Sequence, residues 1–185
     1  MPLVTLIGYR GTGKTTVARL LAERLATSWI DADVALEERI GCTIAELVRD
    51  RGEPAFRDAE AEVLADMLAG CGGVLATGGG VVLREGNRML LRERGRPVVW
   101  LDAPVDVIRR RLAGDPATLS RRPALTGGDP LAEVEQATHA REPLYRACAD
   151  WTVDTGAATP ADVAAQIAAW LGRGEAGPGW KGVMP

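Results

Sequence analysis

The sequence predicts an α/β fold in which helices cover both faces of a parallel β-sheet. Short apolar runs alternate along the chain with longer segments of helical periodicity, which is typical of right-handed β–α–β crossovers. The first run, residues 3–7, is mostly apolar and ends at a glycine, as expected of a strand buried on both faces. With 185 residues, of which 46% are hydrophobic, the chain can bury the core of one domain.

The same periodicity places each element along the chain. A capping box at Thr43 and Glu46 predicts a helix that Gly52 interrupts, and Pro54 suits the first turn of the helix that follows and stops at Gly70. The remaining helices are predicted at residues 14–26 and near 85–94, 104–112, 130–149 and 160–171. The strands are predicted at residues 3–7, 29–31, 74–77, 98–101 and 151–153.

Two segments break this alternation. Residues 113–129 contain several glycines and prolines and are longer than most connections within a compact domain, so we expect either a mobile lid or a disordered loop. Residues 172–185 are too rich in glycine and proline for a regular element and are expected to be a mobile tail. One domain is therefore predicted over residues 1–171.

Composition excludes several classes of protein. A net charge of −3 gives no support to nucleic-acid binding, and no apolar run reaches membrane-spanning length. We expect a cytoplasmic enzyme, because the N-terminus shows no secretory leader. The three cysteines, Cys42, Cys71 and Cys148, form no C-x-x-C pair and are interpreted as small buried hydrophobes. The single histidine, His139, cannot build a metal site and is assigned no role.

Residues 8–15 carry the strongest motif of the chain. Their sequence, GYRGTGKT, satisfies the P-loop pattern G-x-x-x-x-G-K-[ST] between a predicted strand and a predicted helix. The backbone N–H groups of such a loop converge on phosphate oxygens, Lys14 should reach the β- and γ-phosphates, and the Thr15 hydroxyl should ligate Mg²⁺. A simple glycine-rich turn is the alternative. It is disfavoured because only two of the 22 basic residues are lysines and one of them is Lys14.

Two carboxylates lie at the end of the second predicted strand. If Asp31 and Asp33 lie in an extended segment, both side chains share one face and point towards the P-loop. One carboxylate would orient magnesium-bound water, and the other would accept a hydrogen bond from the hydroxyl being phosphorylated. In the alternative interpretation, Asp33 caps the next helix.

Further candidates for an acceptor site are arginines and glycines. Arg57 lies early on a helix with Glu60 one turn later, which is either a binding pair or an ordinary surface contact. Residues 78–80 are three glycines, which either let a ligand approach the backbone closely or form a flexible turn. Together, Arg57 and Arg141 would suit an acceptor that carries a carboxylate.

The predicted lid carries a further pair of arginines. Arg121 and Arg122 either close over the transferring phosphate or belong to a solvated basic loop.

Taken together, these motifs resemble those of the shikimate kinases. The P-loop, Asp31-x-Asp33, GE-x-x-FR at residues 52–57, the glycines at 78–80, Arg122-Pro123 and R-x-PLY at residues 141–145 occur in the order and approximate spacing of that family. The resemblance implies a P-loop kinase fold with a five-stranded parallel sheet of order 2-3-1-4-5, and phosphorylation of the 3-hydroxyl of shikimate by ATP with Mg²⁺. It also implies small-molecule substrates only, and we expect a monomer.

The resemblance further implies roles for individual residues. Asp33, Lys14 and Arg122 would be catalytic, and Thr15 would serve the metal together with Asp31, which acts through water. Arg110 would lie against adenine, although Arg109 and Arg111 flank it, and Arg121 could replace Arg122 because the loop is long. Substrate binding would involve Asp33, Arg57, Gly79, Gly80 and Arg141, and nucleotide binding Gly11, Thr12, Gly13, Lys14, Thr15, Thr16, Arg110 and Arg122.

Two other functions remain open at this stage. One is a related P-loop kinase for gluconate, a nucleoside or a nucleotide. The other is a nucleotide-binding regulatory or scaffold protein without turnover. Asp102 follows a strand that resembles a Walker B strand, but we do not assign it to magnesium.

Overall fold

The computed structural model of the chain describes residues 1–114 and 132–173. Within these ranges the strands form one parallel sheet with the order β2-β3-β1-β4-β5, which confirms the predicted fold class and strand order. The strands are β1 (Val4–Ile7), β2 (Trp29–Asp31), β3 (Val74–Ala76), β4 (Val98–Asp102) and β5 (Trp151–Asp154).

The predicted helices are present within a few residues of their expected bounds, whereas the helix at Ala32–Ile40 was not among them, and a 3₁₀ turn (Val81–Leu83) precedes the fourth helix. The helices are α1 (Lys14–Arg24), α2 (Ala32–Ile40), α3 (Ile44–Gly70), α4 (Glu85–Arg94), α5 (Val105–Ala113), α6 (Ala132–Cys148) and α7 (Pro160–Gly172). Helix α5 includes the first residue of the predicted lid, and α7 includes the first residue of the predicted tail. Most of both segments, including Arg121 and Arg122, lies outside the described residues.

Alternate residues of the central strands supply two cores. Val4 and Leu6 of β1 pack with α1 and α7 on one face of the sheet, whereas Ile7 packs on the other face. That second core contains side chains of α3, α4 and α6, among them Leu64, Leu91 and Tyr145. Because β1 lies between β3 and β4, the loop that follows it emerges at the middle of the sheet edge, where ligands of open α/β sheets bind.

Helix α3 is two helical segments joined at Gly52. This residue has φ 81° and ψ 167°, a conformation that favours glycine, so the helix bends at the predicted interruption. The predicted capping box between Thr43 and Glu46 is present at its start. The first half of α3 and α2 share a separate apolar cluster that contains Leu36, Ile44 and Phe56. This cluster holds both elements beside the sheet edge.

The cysteine prediction is correct at two of the three positions. Cys71 and Cys148 are buried and reduced, as expected of small hydrophobes, and burial raises the pKa of the Cys148 thiol. Cys42 is only half-buried, so the prediction was wrong there, because this residue follows the end of α2 at the rim of the separate cluster. The helices of the described ranges are all too short or too polar to cross a membrane.

Candidate active site

The P-loop joins β1 to α1 at the middle of the sheet edge. Gly8 has φ 143°, and a Cβ atom there would lie 2.3 Å from the carbonyl oxygen of Leu101, so no other residue fits. Lys14 is buried and its Nζ donates hydrogen bonds to the carbonyl oxygens of Gly8 and Tyr9, both at 2.9 Å. The ammonium group is therefore held inside the curve of the loop, where phosphate oxygens bind in P-loops.

Asp31 joins the P-loop helix to α2. The hydroxyl of Thr15 donates to Asp31 Oδ2 at 2.6 Å, while Asp31 Oδ1 accepts from the backbone N–H of Asp33 at 2.9 Å. Asp31 is thus the N-cap of α2, and the alternative that Asp33 caps this helix was wrong. The extended geometry expected for residues 31–33 was also wrong, because the cap ends β2 at Asp31 and places Asp33 in the first helical turn.

A cavity of about 480 Å³ lies between the P-loop and α2. Its walls bring together residues that the sequence assigned to the two substrates separately. Lys14, Thr15 and Thr16 of the P-loop and α1 line it, together with both carboxylates, Asp31 and Asp33. Further lining residues are Arg10, Gly11, Gly13, Val34, Glu37, Ile44, Thr77, Gly79, Arg111 and Leu112.

Arg57 is buried between two carboxylates. Its Nη1 donates to Glu60 at 2.8 Å, and its Nε and Nη2 donate to Glu53 at 3.1 and 3.0 Å. The alternative of a solvated surface pair was therefore wrong, because Arg57 and Glu60 are both buried. Burial by itself lowers the pKa of the guanidinium, but Glu60 and Glu53 outweigh it and raise that pKa above its ordinary value. Arg57 thus remains a cation.

The glycine turn at residues 78–80 contacts both predicted acceptor arginines. A Cβ atom on Gly80 would lie 2.2 Å from Nη1 of Arg57, so the absence of a side chain at this position makes room for the guanidinium. Arg141 Nη1 donates to the carbonyl oxygen of Gly79 at 3.3 Å, and its guanidinium lies 5.3 Å from the centre of the Tyr9 ring. The two guanidinium groups therefore meet neighbouring residues of one turn, although 84 positions separate them in the sequence.

Three consecutive arginines at the end of α5 have different environments. Arg110 is largely exposed and pairs with Asp106, whereas Arg111 lines the cavity. Arg111 donates to the P-loop carbonyl of Gly11 at 3.3 Å and to the Thr155 carbonyl at 2.6 Å. Arg109 is directed to Glu135 on α6. Only Arg111 of the three thus contacts the P-loop within the described residues.

Two residues of the site, Glu37 and Tyr145, received no role of their own from the sequence. Glu37 lines the cavity one turn after Asp33 and accepts from the N–H of Ile44 at 3.0 Å, which ties α2 to α3. Tyr145 donates to the Gly79 carbonyl from the interior of α6, and its place in the R-x-PLY motif could have drawn attention to it. Thr12, by contrast, was predicted to bind the nucleotide. It is buried, and its hydroxyl donates to the Tyr9 carbonyl at 2.8 Å.

Comparisons with known proteins agree with this geometry. A family model described as "Shikimate kinase" matches residues 10–172. The shikimate kinase of Symbiobacterium thermophilum is 43% identical over 175 residues, which cover 94% of this chain and 99% of the relative. The shikimate kinase of Rhodopirellula baltica is 42% identical over 150 residues, which cover 81% of this chain and 80% of the relative.

Solved structures give the same result. A shikimate kinase from Acinetobacter baumannii in complex with shikimate superposes with a TM-score of 0.81 at 36% identity, and 89% of each chain is covered. The shikimate kinase from Aquifex aeolicus gives a TM-score of 0.76 at 32% identity, with 92% of this chain and 96% of that one covered. A gluconokinase from Sinorhizobium meliloti, at 19% identity and a TM-score of 0.57, shares only the fold.

Proposed function

The chain belongs to the shikimate kinase family, and from this premise we propose how its own residues carry out the ATP-dependent phosphorylation of shikimate. One observation carries the proposal. A single cavity joins the P-loop to Asp33 and the glycine turn, and the two guanidinium groups of Arg57 and Arg141 lie against that turn. A phosphate donor and an anionic acceptor would thus meet beside a carboxylate.

On the acceptor side, Arg57 and Arg141 bind the carboxylate of shikimate. A guanidinium group matches a carboxylate in geometry, and two such groups hold the ring in one orientation. Gly79 and Gly80 let the ring approach the backbone closely. Asp33 then accepts a hydrogen bond from the 3-hydroxyl, which is the group to be phosphorylated.

In the transfer step, the 3-hydroxyl oxygen forms a bond to the γ-phosphorus of ATP as the bond from that phosphorus to the β–γ bridging oxygen breaks. The hydroxyl proton passes to Asp33, and ADP leaves with the bridging oxygen. Lys14 exchanges its loop carbonyls for phosphate oxygens and stabilises the charge that develops on them. Catalysis therefore consists mainly of positioning and electrostatic stabilisation.

Thr15 and Asp31 fit a magnesium ion. Their hydroxyl and carboxylate oxygens lie 2.6 Å apart on the cavity wall, and hard oxygen ligands of this kind suit Mg²⁺. Thr15 would bind the ion directly and Asp31 through water, with phosphate oxygens as further ligands. When bound, the ion neutralises phosphate charge during transfer.

The remaining nucleotide contacts are also part of the proposal. The loop N–H groups of Gly11, Thr12 and Gly13 bind phosphate, with Thr16 beside them. The contact of Arg110 with adenine stays a prediction. Arg111 is the stronger candidate for a nucleotide contact, because it donates to the P-loop carbonyl of Gly11. Arg122, or Arg121 in its place, would act from the predicted lid.

An acceptor panel tests the function. We expect ADP release from ATP to depend on shikimate, and to stay near background with gluconate, a nucleoside or a nucleotide. Release that depends on one of these other acceptors instead would overturn the substrate assignment. ATP binding without ADP release in the presence of any acceptor would favour the regulatory alternative.

We further propose that the enzyme acts in the cytoplasm as a monomer, without nucleic acid or membrane. Size-exclusion chromatography with light scattering tests the oligomeric state.

Substitution of Gly80 by alanine should weaken acceptor binding. A Cβ atom there would lie 2.2 Å from Nη1 of Arg57, so the guanidinium must leave its position or the turn must shift. We expect the KM for shikimate to rise about tenfold or more, with a much smaller change in the KM for ATP. Gly86→Ala is the matched control, since a Cβ atom at Gly86 meets nothing within 4 Å. Equal changes in the two variants would contradict the role of Gly80.

Substitution of Arg141 by lysine should raise the KM for shikimate much more than the KM for ATP. The charge remains, but the fork that binds a carboxylate through two hydrogen bonds is lost. We expect the KM for shikimate to rise about tenfold, and the KM for ATP to stay within a factor of about two. Arg146→Lys, on the exposed face of the same helix, is the control. An equal loss for both substrates would argue against the carboxylate role of Arg141.

A further inference from the structure

The carbonyl oxygen of Gly79 accepts two hydrogen bonds from α6. The hydroxyl of Tyr145 donates to it, and Nη1 of Arg141 donates to it at 3.3 Å. Gly79 itself packs tightly against the P-loop, since a Cβ atom there would lie 3.0 Å from the backbone nitrogen of Arg10. One acceptor in the glycine turn is therefore shared by a neutral donor and a cationic donor.

The surroundings of Tyr145 hold its side chain in place. Its side chain is 1% exposed, and its ring stacks on Trp100 with 5.7 Å between ring centres and 21° between planes. Burial raises the pKa of the phenol well above its ordinary value, and the neighbouring Arg141 cation opposes this only in part. The phenol therefore keeps its proton at physiological pH, and the stacked ring holds the phenol oxygen beside the Gly79 carbonyl.

We propose that Tyr145 is a positioning residue for Arg141. Its hydroxyl donates a hydrogen bond to the Gly79 carbonyl, which would otherwise attract the Arg141 guanidinium more strongly towards the turn. A carbonyl that already accepts one hydrogen bond attracts a second donor less strongly. The distance of 3.3 Å from Arg141 Nη1 to the Gly79 carbonyl oxygen is long for a hydrogen bond, as expected when the oxygen accepts from two donors. The guanidinium, supported from one side by the Tyr9 ring, thus remains directed to the carboxylate of the acceptor.

This inference rests on the proposed function and predicts a selective defect. Without the phenol, Arg141 becomes the only donor to the buried Gly79 carbonyl among the described side chains of α6, and the carbonyl then competes with the substrate carboxylate for the same cation. The KM for shikimate should rise, whereas kcat and the KM for ATP should change little. A structural role alone would lower stability or affect both substrates alike.

Tyr145→Phe is the variant of choice because it keeps the ring that stacks on Trp100. We expect its KM for shikimate to rise about five- to tenfold, with the KM for ATP and kcat within a factor of about two. Thr138→Val is the matched control. It also removes one buried hydroxyl from α6, and that hydroxyl has no hydrogen-bond partner in the ranges that the structure describes.

Two further measurements identify the mechanism. With the methyl ester of shikimate, which lacks the negative charge, Tyr145→Phe should not change the KM. In an Arg141→Lys background, Tyr145→Phe should add less than a twofold further change, because the two substitutions act on one contact. Ratios of KM do not depend on the folded fraction of a variant, so partial unfolding cannot imitate these results.

An unchanged KM for shikimate in Tyr145→Phe would overturn the inference while the proposed function stands. So would an equal rise with the ester, or full additivity with Arg141→Lys. If the unsubstituted enzyme released no ADP in response to shikimate, the proposed function itself would fail, and the inference with it.

Discussion

Replacing Lys14 by methionine is expected to reduce kcat for shikimate phosphorylation by about a thousandfold. The ammonium group lies within the curve of the P-loop, 2.9 Å from two loop carbonyls, and no other cation occupies that position in the described ranges. Methionine has a similar length but offers no charge and no donor. The transferring phosphoryl group would therefore lose the charge that stabilises its oxygens during the reaction.

The chain offers a matched control for this change, because Lys181 is its only other lysine. Lys181→Met alters the net charge equally and lies in the predicted tail, so we expect full activity. Steady-state ADP release at saturating ATP and shikimate measures kcat of both variants. A Lys14→Met enzyme with kcat within about tenfold of the unsubstituted enzyme would show that the P-loop lysine does not act on the phosphates.

The order of the elements, apart from the missed helix α2, followed from the sequence because local signals define it. Strands buried on both faces and helices with one apolar face leave different periodicities, and Gly52 and the Thr43–Glu46 capping box mark their boundaries within a few residues. The P-loop was equally predictable, since its motif specifies the backbone conformation that phosphate binding requires. Signals of this kind do not depend on distant parts of the chain.

Contacts between distant segments could not be predicted in this way. The burial of Arg57 depends on the missing side chain at Gly80, and the position of Arg141 depends on a carbonyl that Tyr145 also uses. The same limit explains the geometry of Asp31 and Asp33. The sequence showed two carboxylates at the end of a strand, but not that the first of them would cap α2 and so place the second in a helical turn.

The three arginines at the end of α5 show the limit most clearly. Successive residues of a helix point about 100° apart, so Arg109, Arg110 and Arg111 face three directions. Charge and residue type are identical, and only the packing of α5 decides which side chain reaches the P-loop. The helix directs Arg111 there because Ile108 and Leu112 face the apolar cluster beneath the loop.

Replacing Asp33 by asparagine is expected to lower kcat by a factor of about one hundred to ten thousand, the range typical of a lost general base. Asparagine has nearly the same shape and keeps an oxygen that can accept the hydrogen bond of the 3-hydroxyl. It cannot take up the proton. The affinity for shikimate, measured by equilibrium titration, should therefore change only a few-fold while turnover falls.

The structure makes this substitution a clean test of chemistry. Helix α2 is capped by Asp31 and not by Asp33, so the exchange leaves the cap in place. Glu38→Gln, on the exposed surface of the same helix, removes one carboxylate charge without approaching the cavity and should retain full activity. If Asp33→Asn kept kcat within about threefold, the hydroxyl proton would have to leave by another route, and Asp33 would serve only to orient the acceptor.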